Sequence, residues 1–209
     1  MGFSISARNV AVSQAISPNS LAKQGKIVHD RPPRLAIGVM IWLGSELMFF
    51  SGLFAALFTI RAHLASWPPV GTHLDVLQSG IFTIVLIASS FTMQWAVYLI
   101  ENRRRAEARN WIIVTMIMGT LFVSNQAYEW THLATRWYTN SYGSIFFITT
   151  GLHGLHVILG LVAMGFLLFR MRGTEGDPGE LSTFQGVSYY WHFVDVVWIG
   201  LYSALFLLK

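Results

Sequence analysis

A chain of 209 residues that is 54% hydrophobic and only 11% charged cannot cover itself with a water-facing surface, since soluble domains carry about 25% charged residues. It has no cysteine, which excludes disulfides, thiolate metal sites, iron–sulfur ligation and thiol catalysis. The net charge of +4 is small and its basic residues cluster at the ends of apolar runs, so it does not read as a nucleic-acid footprint.

Residues 1–34 are polar and irregular and include Pro32 and Pro33. They do not read as a secretory signal, because the first apolar run comes late and is long. Five apolar segments follow, at about 35–60, 76–100, 111–133, 143–170 and 184–208. Each is close to or above the roughly 20 residues that cross a hydrocarbon core. Backbone groups in lipid must be satisfied within the segment, so each is predicted to be a helix. The fold class expected is therefore an all-α, polytopic membrane protein of five transmembrane helices, with residues 35–209 as one domain behind a polar segment.

The loops set an orientation. Lys23, Lys26, Arg31 and Arg34 precede the first span, Arg103, Arg104, Arg105 and Arg109 separate the second from the third, and Arg170 and Arg172 follow the fourth. The opposite loops hold Arg61 and Arg136, with Trp67, Pro68, Pro69, Trp137 and Tyr138 suited to an interfacial belt. All three basic clusters fall on one side, which predicts a cytoplasmic N-terminus and an external C-terminus.

Ionisable groups inside spans are costly, and each invites a functional question. At about 1.5 Å per residue, Glu46 in the first span, His153 and His156 in the fourth, and His192 and Asp195 in the fifth all fall near the bilayer middle. His153 and His156 stand at i and i+3, as do His192 and Asp195, so each pair is expected to share a helix face. The second pair reads as a hydrogen-bonded packing element. Gly38, Gly44, Ser45 and Gly52 in the first span, and Gly151, Gly154, Gly160 and Gly165 in the fourth, are expected to allow close helix contacts. Glu46 lies among Trp42, Leu43, Leu47, Met48, Phe49 and Phe50. It reads equally as a proton-handling carboxyl, as a partner for the lipid headgroup region, or as a neutral acid bonded to a histidine.

Redox and hydrolytic chemistry find little support. Glu129-x-x-His132 matches half of a di-iron carboxylate motif, but no second such pair follows. Two histidines at i and i+3 cannot ligate both faces of one haem. There is no phosphate-binding glycine loop, no triad positioned for hydrolysis, and no repeated broken spans of the transporter kind. No catalytic residue and no metal ligand set is expected.

The first span reads Ser45-Glu46-Leu47-Met48-Phe49-Phe50-Ser51-Gly52-Leu53-Phe54. The fourth reads Tyr142-Gly143-Ser144-Ile145-Phe146-Phe147 and then Thr150-Gly151-Leu152-His153-Gly154-Leu155-His156-Val157. The fifth reads Tyr190-Trp191-His192-Phe193-Val194-Asp195-Val196-Val197-Trp198. In this order these motifs resemble subunit III of the haem–copper terminal oxidases, most like the cytochrome c oxidase branch, over nearly all of the chain beyond residue 34. Mitochondrial-type members have two more helices at the N-terminus. Five helices match the short bacterial forms, including actinobacterial ones and those of quinol oxidases. Leu152 stands where the family usually has Phe.

The resemblance implies a non-catalytic subunit in a bacterial plasma membrane, part of a proton-pumping oxygen reductase. Haems and copper would belong to partner subunits, with none in this chain. The implied partners are oxidase subunits I and II and bound phospholipid, and a supercomplex with a cytochrome bc complex stays open. Subunit I would be contacted near a proton-uptake entry. A cleft between the first helix pair and the remaining helices would hold lipid. By the same resemblance Glu46 would be the carbodiimide-reactive carboxyl, and Trp42, His156 and Arg170 would contact lipid. Read unaided, Arg170 suits equally a phosphate, since it closes the fourth span with a guanidinium that can bind bidentately, and a plain positive-inside anchor. The runner-up functions are the corresponding subunit of a quinol oxidase and a stand-alone channel or transporter.

Overall fold

The computed structural model describes residues 34–64, 67, 75–132, 138, 140–173 and 179–208. The expectations for residues 1–33, including Lys23, Lys26 and Arg31, and for Pro68, Pro69, Arg136 and Trp137 lie outside the described residues. The described chain forms five long helices: α1 (Arg34–His63), α2 (Val76–Glu101), α3 (Arg105–His132), α4 (Ser141–Arg170) and α5 (Glu180–Tyr202). A π-helical turn, Ser203–Leu207, continues α5. All five are long and apolar enough to cross a membrane.

The helices alternate in direction. Trp42 stacks on Tyr190 and Phe50 meets Phe193, so α1 and α5 run in the same sense. At one end of the bundle Arg105 of α3 binds Glu180 of α5. At the other end Gln78 and Ser79 of α2 reach Asn125 and Glu129 of α3, and the Tyr202 hydroxyl donates to the Val76 carbonyl. The starts of α3 and α5 and the ends of α2 and α4 thus share one end. Arg103, Arg104, Arg105, Arg109, Arg170 and Arg172 all belong to it.

Two of the three described helix starts with a neighbouring cap are set by short polar side chains. Asp75 accepts from the Gln78 N–H at 3.0 Å, and Asn140 from the Gly143 N–H at 2.6 Å, each satisfying an amide that the helix leaves open. The α2–α3 connection is tight. Arg103 N–H donates to Ile100 and Arg104 N–H to Leu99, a Schellman arrangement. It places Arg103 at φ 60°, where glycine would be the relaxed choice.

Several boundaries differ from those the apolar runs suggest. α3 begins at Arg105, not near 111, and α5 begins at Glu180, not near 184. Hydropathy marks only the apolar part of a span, whereas Arg105-Ala-Glu-Ala-Arg and Glu180-Leu-Ser-Thr are interfacial turns that still form helix. Arg105 and Arg109 therefore lie on α3 itself. The Arg105 guanidinium donates twice to one Glu180 oxygen, at 3.0 and 2.8 Å, with side chains only 19% and 12% exposed. Glu180→Ala leaves a half-buried guanidinium without its anion. We expect a cost of about 1–3 kcal/mol, that of a partly buried donor left without its acceptor, read as a lower unfolding temperature in detergent, with Glu180→Asp milder. An unchanged unfolding temperature in both would remove the pair from the account of stability.

α5 is the most buried helix and α1 the least. Trp191 and Trp198 of α5 are fully buried and donate through their indole N–H groups to Ser89 and Thr83 of α2, each at 2.9 Å. Trp191 is wedged between Gly119 of α3 and Gly160 of α4, where an added Cβ would lie 2.7 and 2.8 Å from its ring. Gly200 admits Phe54 of α1, and Gly151 admits Trp130 of α3. The glycines that permit close packing between the described helices are therefore Gly80, which admits the Tyr202 hydroxyl, and Gly119, Gly151, Gly160 and Gly200. Gly38, Gly44, Gly52, Gly154 and Gly165 face open space with no atom within 4 Å, which corrects the expectation that they mark contacts within this chain. A glycine's presence in a span says that backbone could approach there, not which helix does so.

Candidate functional site

The central polar residues do not form one network. They divide among three places, because successive positions on α4 and α5 face different neighbours.

The first place joins α1, α4 and α5. Glu46 Oε2 lies 3.1 Å from His156 Nε2. His156 Nδ1 lies 2.7 Å from the Leu152 carbonyl. A carbonyl only accepts, so Nδ1 carries hydrogen. Nε2 then either accepts a proton from a neutral Glu46 or donates as imidazolium to its carboxylate. In both states one proton is held between the two residues and the pair is neutral overall. Phe49 and Phe50 close over the imidazole, Phe50 edge-on at 5.0 Å. The Tyr190 hydroxyl donates to the His156 carbonyl at 2.8 Å, and the Trp42 ring lies on Tyr190 at 5.2 Å and 6°.

Below this pair, toward the arginine-rich end, an apolar groove of about 390 Å³ runs between α1, α4 and α5, with Val39, Trp42, Leu159, Ala163, Val187 and Tyr190 in its walls. His156, Ala163 and Arg170 recur every seven residues along α4, which is one stripe of an α-helix. The stripe places the Glu46–His156 pair at one limit of the groove and Arg170 two helical turns beyond Ala163.

The second place lies between α2 and α5. The Ser90 hydroxyl donates to Asp195 Oδ2, and His192 Nδ1 lies 2.9 Å from the same hydroxyl oxygen. His192 Nε2 lies 3.3 Å from the Gln94 side-chain amide. His192 and Asp195 are thus brought together, but through Ser90 and not by direct contact. Spacing within α5 marked the two residues. It could not mark Ser90, because a serine in a span commonly bonds back to its own helix.

The third place is His153, fully buried and stacked on Trp198 at 4.8 Å, with Phe122 edge-on at 6.0 Å. His153 and His156 share α4 yet point to opposite sides of α5, one to the α3 side and one to α1. A step of three residues leaves about 60° between side chains, enough to send them to different neighbours.

Asn125, Glu129 and His132 do not converge either. Asn125 accepts from Gln78 and Glu129 from Ser79, while His132 Nδ1 turns back to the Tyr128 carbonyl. Among the described residues, no group of three or more His, Cys, Asp or Glu side chains is placed to hold a metal ion.

Five spanning helices that enclose a Glu46–His156 pair, an Asp195–Ser90–His192 bridge and an aromatic-walled His153 define a polytopic membrane bundle with a polar interior. The comparisons with known proteins narrow that class. The family model described as cytochrome c oxidase subunit III matches residues 20–208. The probable cytochrome c oxidase subunit 3 of Nocardia farcinica is 44% identical over 197 residues, covering 92% of this chain and 97% of its own length. That of Mycobacterium leprae is 45% identical over 184 residues, covering 86% and 91%. The cytochrome c oxidase subunit 3 of Corynebacterium diphtheriae is 38% identical over 205 residues, covering 95% and 100%. The chain belongs to the cytochrome c oxidase subunit III family, and it is a multi-pass bacterial membrane protein.

Proposed function

We propose that this chain is the non-catalytic third subunit of a proton-pumping cytochrome c oxidase. In that complex it steadies the subunit that carries haem and copper, supports its proton uptake and holds phospholipid as part of the assembly. The arginine-rich end faces the cytoplasm in this reading, as the distribution of charge favours. Oxygen reduction belongs to the partners, subunits I and II, and this chain supplies scaffold and lipid.

The observation that carries the lipid reading is the groove between α1, α4 and α5. Its walls are almost wholly apolar, and Trp42 forms one of them. An acyl chain fits such walls. The groove extends toward the end of the bundle where Arg170 closes α4, at the depth of a phosphate headgroup. The Glu46–His156 pair caps the other limit with a neutral polar contact.

The test is a turnover count. Trp42→Ala removes a groove wall, and Arg170→Ala removes the guanidinium suited to a phosphate. Together they are expected to leave the initial oxygen-reduction rate near normal and to shorten the catalytic lifetime of the purified complex several-fold. Phospholipid retained per complex should fall in parallel. A full complement of lipid and an unchanged number of turnovers before inactivation would sink the lipid reading.

A further inference from the structure

The lateral face shared by α2 and α5 carries a polar island at mid-membrane. At about 1.5 Å per residue, Ser90 and Gln94 lie roughly 17 and 10 Å from the Glu101 end of α2, and His192 roughly 18 Å from the Glu180 end of α5, all within the hydrocarbon core. Headgroups begin about 15 Å from the centre of a bilayer, so none reaches that level. Gln94 is exposed and His192 half-buried. The surface around them is apolar, with Phe91 73% and Val196 66% exposed and Trp95 beside them.

Exposed hydroxyls elsewhere on the bundle are satisfied within their own helices. Ser45, Ser51, Thr59, Thr120 and Ser124 each donate to a carbonyl three or four residues back. The island is different, because its bonds run outward in a fixed sense. Ser90 gives its one hydroxyl proton to Asp195, so its oxygen accepts from His192 Nδ1–H. That leaves Nε2 of the neutral ring as an acceptor, 3.3 Å from the Gln94 Oε1 position, so the Gln94 carboxamide turns an N–H toward the ring and keeps its oxygen and a second N–H for the lateral surface. A carboxamide has two N–H donors and an acceptor oxygen, and a single 3.3 Å contact leaves most of that capacity directed at the lateral surface. Acyl chains offer it nothing, and a polar group unmet in hydrocarbon is costly.

We propose that the α2–α5 face is the seat of a transmembrane helix from another oxidase subunit, which presents a hydrogen-bonding side chain to Gln94 and His192 at mid-membrane. The proposal rests on the reading of this chain as part of a multisubunit oxidase. Asp195 and Ser90 anchor the contact from behind by fixing the His192 ring. The occupant is a protein helix and not a lipid, because only a side chain brings donors and acceptors to that depth.

The test uses the assembled oxidase, purified through a tag on another subunit. The photoreactive residue p-benzoylphenylalanine is placed at Phe91, Val196 or, as the control on α3, Ile117. Phe91 and Val196 flank the island without belonging to its hydrogen bonds. Irradiation is expected to join this chain to another subunit from positions 91 and 196 and to give mainly lipid adducts from 117. In a second arm, Gln94→Leu keeps the size and removes the amide. Its retention in the complex through detergent washing should fall about three- to tenfold, the worth of one interhelical hydrogen bond, while Gln94→Asn retains more. Lipid adducts alone from 91 and 196 in a complex that co-purifies normally would overturn the docking face and leave the oxidase reading intact. Failure of the unaltered chain to co-purify with any haem-bearing subunit would overturn the oxidase reading and this partner with it.

Discussion

Trp191→Ala is expected to be the most damaging single truncation in the bundle. The indole is fully buried and touches three helices other than its own: Ser89 of α2 through its N–H, and Gly119 of α3 and Gly160 of α4 through its ring. In lipid the hydrophobic effect does little to bring helices together, so packing and hydrogen bonds carry the association. Removing the ring takes away both at once and opens a void where four helices meet. We expect a loss of about 3–5 kcal/mol, the usual range for truncating a buried tryptophan. The same joint can be broken from the other side. Gly119→Val or Gly160→Val would drive a side chain into the ring, and overpacking of this kind costs about 1–3 kcal/mol or more. Gly44→Ala is the matched control, because a Cβ there meets nothing within 4 Å. Thermal unfolding in detergent checks the set. Gly119 and Gly160 variants as stable as the Gly44 control would show that Trp191 is not the joint of the bundle.

The contrast among glycines shows what one sequence can and cannot disclose. The number of spans, their order and their alternation were legible, because each follows from length, apolarity and the placement of arginines. The polar interior was legible in outline. Glu46, His153, His156, His192 and Asp195 stand out because ionisable groups are rare in spans. Their partners were not legible. Glu46 meets His156 across more than one hundred positions, and Asp195 meets Ser90 across a similar gap, so spacing along the chain carries no trace of either bond. The two i, i+3 pairs invited local pairing, yet one is split across two sides of α5 and the other is bridged from α2. Helix ends were misjudged for a different reason. Interfacial turns such as Arg105–Arg109 are polar enough to read as loop, and the π turn at Ser203–Leu207 follows from packing that no periodicity records. Its Leu208 N–H reaches back to Ser203, which brings Phe206 near Phe146.

Glu46→Gln is expected to abolish labelling of this chain by a hydrophobic carbodiimide while leaving the complex assembled. The reagent adds to a carboxyl that carries its proton, and an amide gives it nothing to attack. The geometry explains why assembly should survive. Glutamine keeps the size of the side chain and retains an N–H that His156 Nε2 can accept, while His156 Nδ1 stays on the Leu152 carbonyl. The contact between α1 and α4 therefore persists without the shared proton. Glu46→Leu is the harsher partner experiment. It strands Nε2 among Phe49 and Phe50, with an unmet acceptor worth about 1–3 kcal/mol, and is expected to weaken the hold of α1, the least buried helix. Peptide mapping of the labelled complex separates the possibilities. An adduct that remains on this chain in Glu46→Gln would assign the reactive carboxyl elsewhere, with Asp195 and Glu129 the groups to examine. Labelling lost together with assembly would mean that the carboxyl serves the α1–α4 contact itself and that its proton is incidental.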